Sequence, residues 1–177
     1  MIKLLKNSFF FVVATCAIFV VVGCATTSGA AAAEEPTMGP KDMAGVMELT
    51  PVEATASSYQ EAKGLVPAFA IDGDMNTTWT AEGSQWIVID LGEVKNVVCV
   101  DVAMLKGSER RYKMMFEGSA DGATYMPISG NVTSSGRSED METFDTDDME
   151  LRYLRINVNG ASSSQWNNIK EVKIYGM

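Results

Sequence analysis

Apolar and polar residues alternate over short runs through most of the chain from Val52 to Met177. Trp86–Leu91 forms one such run and stops at Gly92; Val97–Leu105 forms another and stops at Lys106-Gly107. Tyr112–Phe116, Leu151–Val158 and Ile169–Tyr175 repeat the pattern. Alternation places every second side chain on the same face, so each run reads as a half-buried strand. In the last run Val172 and Ile174 face the core while Lys173 and Tyr175 face outward. No segment of this region keeps a helical period beyond about two turns, although Val66–Ile71 accommodates one short turn behind Pro67. The expected fold is all-β, an antiparallel β-sandwich or jelly roll. Cys99, inside Val97–Val100, is expected to be a small buried hydrophobe.

The amino end has a different texture. Lys3 and Lys6 precede an apolar run from Phe9 to Val22, the charge and length pattern of an export signal. The run falls short of the roughly 20 apolar residues that span a bilayer. Val21-Val22-Gly23-Cys24 resembles the bacterial lipobox, in which the cysteine is acylated and becomes the first mature residue. The expected organisation is therefore a signal peptide over 1–23, lipidation at Cys24, and a tether over 24–51 rich in Ala, Gly, Thr, Pro and Glu. A flexible tether of that length spans roughly 30 Å. A plain signal peptide or an uncleaved anchor with an incidental cysteine is the alternative. Because Ala25 stands where an inner-membrane retention signal carries Asp, the resemblance implies an outer-membrane location where the cell has one.

Composition narrows the chemistry. The formal charge of -9 over 177 residues opposes a nucleic-acid partner, which needs a basic face to displace counterions. The chain contains no histidine, which removes the usual general base and the commonest metal ligand. The carboxylates of Glu139, Asp140, Glu142, Asp147 and Asp148 stand in polar, turn-like sequence and read as a solvated face, not as a glycosidase pair. With Cys16 in the signal and Cys24 acylated, Cys99 is alone in the mature domain, so no disulfide framework is expected.

Five ordered motifs suggest a family. Ala70-Ile71-Asp72-Gly73-Asp74-Met75-Asn76-Thr77-Thr78-Trp79 followed by Trp86–Gly92 resembles the opening of a discoidin domain, also called a coagulation factor V/VIII type C domain. Ser119-Ala120-Asp121-Gly122 resembles its S-x-D-G hairpin, Arg152–Ile156 its penultimate strand and Ile169–Gly176 its closing strand. Within the family, Trp79–Gly83, Lys106–Arg110, Ser134-Ser135-Gly136, and Asn159-Gly160 with Trp166–Ile169 are most similar to family 32 carbohydrate-binding modules that accompany alginate lyases. The resemblance implies a non-catalytic module that binds a polysaccharide or oligosaccharide, with loops converging on one rim.

Sugar recognition needs an aromatic platform and placed donors, and a uronate adds a carboxylate suited to Arg or Lys. The candidate ligand-binding residues are Lys106, Arg110, Arg137, Asn159 and Trp166. For the three cations the competing reading is a solvated turn, and for Trp166 it is partial burial. Trp79 and Trp86 are expected in the core. The loop Asp72–Thr77 imitates the start of an EF-hand but lacks its glycine and its bidentate Glu. The resemblance implies a structural Ca²⁺ there, with Asp72, Asp74, Thr77 and Glu171 as ligands; the alternative is a tight turn closed by backbone hydrogen bonds. Three function classes follow in order: a glycan-binding surface lipoprotein, a protein-interaction or envelope-assembly module on the same fold, and, last, an enzyme.

Overall fold

The computed structural model describes residues 44–177. The signal over 1–23, Cys24 and the tether up to residue 43 lie outside the described residues. Nine strands follow in chain order: β1 (Met47–Leu49), β2 (Glu53–Ala56), β3 (Trp79–Glu82), β4 (Ser84–Met104), β5 (Tyr112–Ser119), β6 (Met126–Pro127), β7 (Val132–Thr133), β8 (Glu142–Ala161) and β9 (Trp166–Gly176). Two 3₁₀ turns, Glu61–Lys63 and Pro67–Ala70, are the only helical elements among the described residues. The second sits behind Pro67 as the sequence suggests, the fixed proline φ starting the turn.

Every strand pairing is antiparallel, and the fold is a β-sandwich. Two long strands bend through both layers. Residues 87–90 of β4 pair with β2, and residues 84–90 pair with 153–159 of β8, which in turn pairs with β5. Residues 95–102 of β4 pair with 142–151 of β8, and the C-terminal part of β4 pairs with β9. The register shifts between Asp90 and Lys95, where the strand turns the corner.

Gly92 does not end the strand, as its position after Trp86–Leu91 suggests; it bends it. Its φ of 79° is a left-handed value that glycine adopts without a Cβ clash. Asp90 Oδ1 accepts the Gly92 N–H at 2.7 Å, and the same carboxylate receives Arg152 Nε at 2.7 Å and Nη2 at 2.8 Å. The Arg152 hydrogen bond holds the Asp90 carboxyl below its ordinary range.

The core lies between the layers. Ile87, Ile89 and Leu91 enter from β4, Phe116 from β5, Leu154 and Ile156 from β8, and Val172 and Ile174 from β9. Lys173 and Tyr175 face the other way, as the alternation requires. Cys99 is buried. Trp79 is fully buried and its Nε1 donates to the Ser58 carbonyl at 3.0 Å. Trp86 departs from expectation: it is 37% exposed, because Ile87 and Ile89 take the inward face of β4 and alternation sends Trp86 outward.

The folded unit also begins earlier than Val52. β1 lies in the segment that reads as tether, pairs with Gly176 to Ile174 of β9, and buries Leu49. A three-residue strand with one inward side chain is too short to show a period.

Candidate functional site

A groove of about 700 Å³ opens at one end of the sandwich, between the edge formed by β3 and β9 and two loops. Its floor follows from strand alternation. Trp79 and Ala81 of β3 point into the core, so Thr80 and Glu82 point away, opposite Asn168 and Trp166 of β9. Thr80 Oγ1 donates to Asn168 Oδ1 at 3.1 Å, fixing the amide orientation. The neighbouring Asn167 is fully buried: its Oδ1 accepts the Gly160 N–H at 2.6 Å and its Nδ2 donates to the carbonyls of Gly83 (2.7 Å) and Ala81 (3.1 Å). One side chain thereby satisfies three backbone groups of the turns that flank Trp166.

One wall is the segment Gln60–Val66, tied to β3 by Gln60 N–H to the Thr80 carbonyl (2.8 Å) and Thr80 N–H to the Leu65 carbonyl (3.4 Å). Gly64, at φ 65°, ends the 3₁₀ turn and leaves Lys63 on the groove. The other wall is the turn Leu105–Arg110. Leu105 N–H donates to the Asn168 carbonyl at 3.1 Å, the Glu109 and Arg110 N–H groups converge on the Lys106 carbonyl at 2.9 Å, and the buried Tyr112 hydroxyl donates to the Leu105 carbonyl at 2.7 Å. Lys106 adopts φ 56°, the one positive-φ residue besides glycines among those described. Gly107 packs so closely on the Ser138 carbonyl that a Cβ would lie 2.1 Å from it, which brings the loop carrying Arg137 beside the turn.

Of the candidate ligand-binding residues, Arg110 and Trp166 meet in this groove, and Thr77 of the candidate metal set also lines it. Trp166 is partly exposed and opens β9 instead of standing in the loop before it. Lys106 lies beside the groove, 3.7 Å from Glu109, and Arg137 is exposed on the adjacent loop. Asn159 belongs to the far side of the Gly160–Gln165 hairpin, where its Oδ1 accepts the Ser84 hydroxyl at 2.8 Å. Lys63 and Phe69 line the groove without having been named from the sequence, where the hint is that Lys63 precedes a glycine; Asn168 lines it too, inside the Trp166–Ile169 motif but not named as a ligand. No carboxylate lines the groove, and neither Lys63 nor Arg110 is ion-paired among the described residues. Against a chain charge of -9, this is a local reversal of sign.

Behind the groove, oxygens gather around Thr77. Its hydroxyl lies 2.9–3.0 Å from both Asp72 carboxylate oxygens, 2.9 Å from the Asp74 carbonyl and 3.4 Å from the Phe69 carbonyl. Glu171 Oε2 accepts the Gly73 N–H at 3.0 Å, joining the closing strand to this loop. Burial pushes the Glu171 carboxyl above its ordinary range; the Gly73 bond opposes the shift and the Asp72 charge adds to it. Asp74 contributes its carbonyl, while its carboxylate accepts the Asn76 N–H at 2.9 Å and side-chain amide at 2.7 Å. Among the described residues no three carboxylate, cysteine or histidine side chains gather, so the cluster combines two carboxylates with neutral oxygens. Such a mixed set of hard oxygens suits Ca²⁺.

The F5/8 type C domain family model matches residues 53–172. Among solved structures, the chain is similar to the CBM32 of AlyQ in complex with 4,5-unsaturated mannuronic acid, at 35% identity, covering 72% of this chain and 97% of that one with a TM-score of 0.68. It is also similar to a pectin binding carbohydrate binding module, at 28% identity, covering 70% and 89% with a TM-score of 0.68. A curated relative, the polysaccharide lyase 8 family protein HylA of Enterococcus faecalis, is 31% identical over 88 residues, 49% of this chain. The match spans only 6% of that lyase.

Proposed function

The chain belongs to the F5/8 type C domain family, and from that premise we propose that it is a non-catalytic module that binds an acidic oligosaccharide or polysaccharide. The observation that carries the reading is the groove in which Trp166, Lys63 and Arg110 stand together without a carboxylate. An indole offers the apolar face of a pyranose ring a flat partner, and the two cations complement a uronate carboxylate. Thr80, Asn76 and Asn168 supply neutral hydrogen-bonding groups for hydroxyls. The mannuronic-acid complex and the pectin-binding module among its structural relatives support an acidic sugar, alginate included.

Ca²⁺ is proposed as a structural cofactor. Asp72, Thr77, Glu171 and the carbonyls of Phe69 and Asp74 would hold it, and its charge would neutralise two carboxylates that have no cationic partner in the cluster. Attachment through an acylated Cys24, on the outer membrane where one exists, completes the proposal: a tethered domain that captures glycan at the cell surface.

Calorimetric titration of the full chain in detergent with uronate and neutral oligosaccharides tests this reading. Saturable uronate binding without turnover is expected, weakened at least tenfold in Arg110→Ala and Trp166→Ala and reduced by salt. A folded, calcium-loaded chain that binds no glycan refutes it and leaves the protein-interaction module.

A further inference from the structure

A second surface carries an exposed indole beside a cation. On the outer face of the layer formed by β2, β4, β8 and β5, Trp86 stands opposite Asn157, which stands opposite Met115, in one row across three strands. This row borders a depression of about 400 Å³ that also includes Ser84, Asn159 and Lys113. Trp86 is 37% exposed, and its indole N–H has no hydrogen-bond partner among the described residues. Lys113 is exposed and holds no ion pair among them. Glu117, two residues beyond Met115 on the same strand, is neutralised by Arg155 Nη2 at 2.6 Å and also receives Asn157 Nδ2 at 2.6 Å.

The Gly160–Gln165 hairpin stands between this depression and the Trp166 groove. The depression meets the surface of the hairpin at Ser84 and Asn159, and that surface meets the groove at Ser164. None of the three stretches is lined by Asp or Glu, although the chain has 23 acidic residues. The depression beside the Asp72 loop, by contrast, is lined by Glu48, Asp72, Asp140 and Glu171. An indole and a cation therefore stand at each end, Trp166 with Arg110 and Trp86 with Lys113, and the exposed Glu82 lies opposite Trp166 in register. Trp166 pairs with Glu82 in register, and Trp86 lies four residues beyond Glu82, no more than roughly 14 Å of chain.

We propose that the Trp86–Lys113 face is a second subsite for the same acidic polysaccharide, so that one chain runs from the Trp166 groove over the Ser84–Asn159 saddle onto the outer sheet face. The inference rests on glycan binding in the groove. Its consequence is that affinity rises with ligand length, because a short uronate fills the groove alone and a longer one reaches both aromatic platforms.

The test titrates the full chain in detergent with a uronate disaccharide and with longer oligomers of the same sugar, comparing the unmodified chain, Trp86→Ala, Lys113→Glu and Arg110→Ala. The expected result is tenfold or more tighter binding of the long oligomer by the unmodified chain. Trp86→Ala and Lys113→Glu lose that gain and keep disaccharide affinity, whereas Arg110→Ala weakens both ligands. Equal affinity for short and long ligands, or a length gain that survives both outer-face variants, overturns the second subsite and leaves the groove intact. Failure of both ligands to bind the unmodified chain overturns the groove and the subsite together. Lys113→Glu lies at an exposed position, so it keeps the comparison valid if Trp86→Ala fails to fold.

Discussion

Tyr112→Phe removes a single oxygen atom from the bond that ties the core to the Lys106–Arg110 turn. The Tyr112 ring is 1% exposed and remains in place, so the hydrophobic contribution is unchanged. What is lost is the 2.7 Å hydrogen bond from its hydroxyl to the Leu105 carbonyl. A net hydrogen bond contributes about 0.5–1.5 kcal/mol, and an acceptor left unpaired in the interior raises the cost to about 1–3 kcal/mol. Leu105 is only half-buried, so water reaches part of the carbonyl and the expected loss is about 1–2 kcal/mol. For a domain of this size that corresponds to a fall in Tm of roughly 4 °C per kcal/mol. Urea unfolding followed by far-UV circular dichroism measures the loss, and an unchanged slope with a lower midpoint identifies it as native-state destabilisation. Because Leu105 opens the turn that carries Arg110, uronate affinity falls as well. A midpoint and an affinity both equal to those of the unmodified chain refute the argument that this bond supports the groove wall.

Gly107→Ala places a methyl 2.1 Å from the Ser138 carbonyl, a backbone atom that cannot rotate aside, so the two loops must separate; a stability loss of about 1–3 kcal/mol is expected by the same unfolding assay. Asp90, whose carboxyl is held low mainly by Arg152, stabilises the fold fully above its unfolded pKa of roughly 3.9 and loses that contribution as pH falls through its lower folded value. Melts of the unmodified chain and Asp90→Asn therefore differ at neutral pH and converge in acid, and a difference that persists below the carboxylate range contradicts the assignment. Chelation of calcium is expected to lower Tm, with a linkage contribution of about 2.7 kcal/mol at a hundredfold excess over Kd. Asp72→Asn abolishes the response to chelator, and a chelator without effect on the unmodified chain rejects the cation.

Much of the fold was legible because its signals are local. Alternation in Ile169–Tyr175 marks Val172 and Ile174 as core whatever lies around them, since a pleated strand sends neighbours to opposite faces. Pro67 marks a turn start, and Ser119-Ala120-Asp121-Gly122 marks a hairpin in which Asp121 Oδ1 accepts the Ala123 and Thr124 N–H groups at 2.9 Å. The same locality produced the errors. Gly92 has the composition of a strand end, and only the Arg152 side chain, brought from β8, shows that the strand bends and continues. Trp86 is apolar and sits in a core motif, yet its face is set by the phase of Ile87 and Ile89.

The groove divides in the same way. Residue type and the resemblance of Lys106–Arg110 and Trp166–Ile169 to carbohydrate-binding modules nominated Arg110 and Trp166, because a guanidinium and an indole in turn-rich sequence are suited to a sugar acid. Lys63 came to the groove only through the pairing of Gln60 with Thr80, a bond across 20 residues, and Asn159 left it because a hairpin stands between. By itself the sequence determined strand content, the inward faces and the chemistry available. Tertiary structure decided which side chains share a surface, because β4 and β8 each bend through both layers and strand pairing, not chain proximity, sets who meets whom.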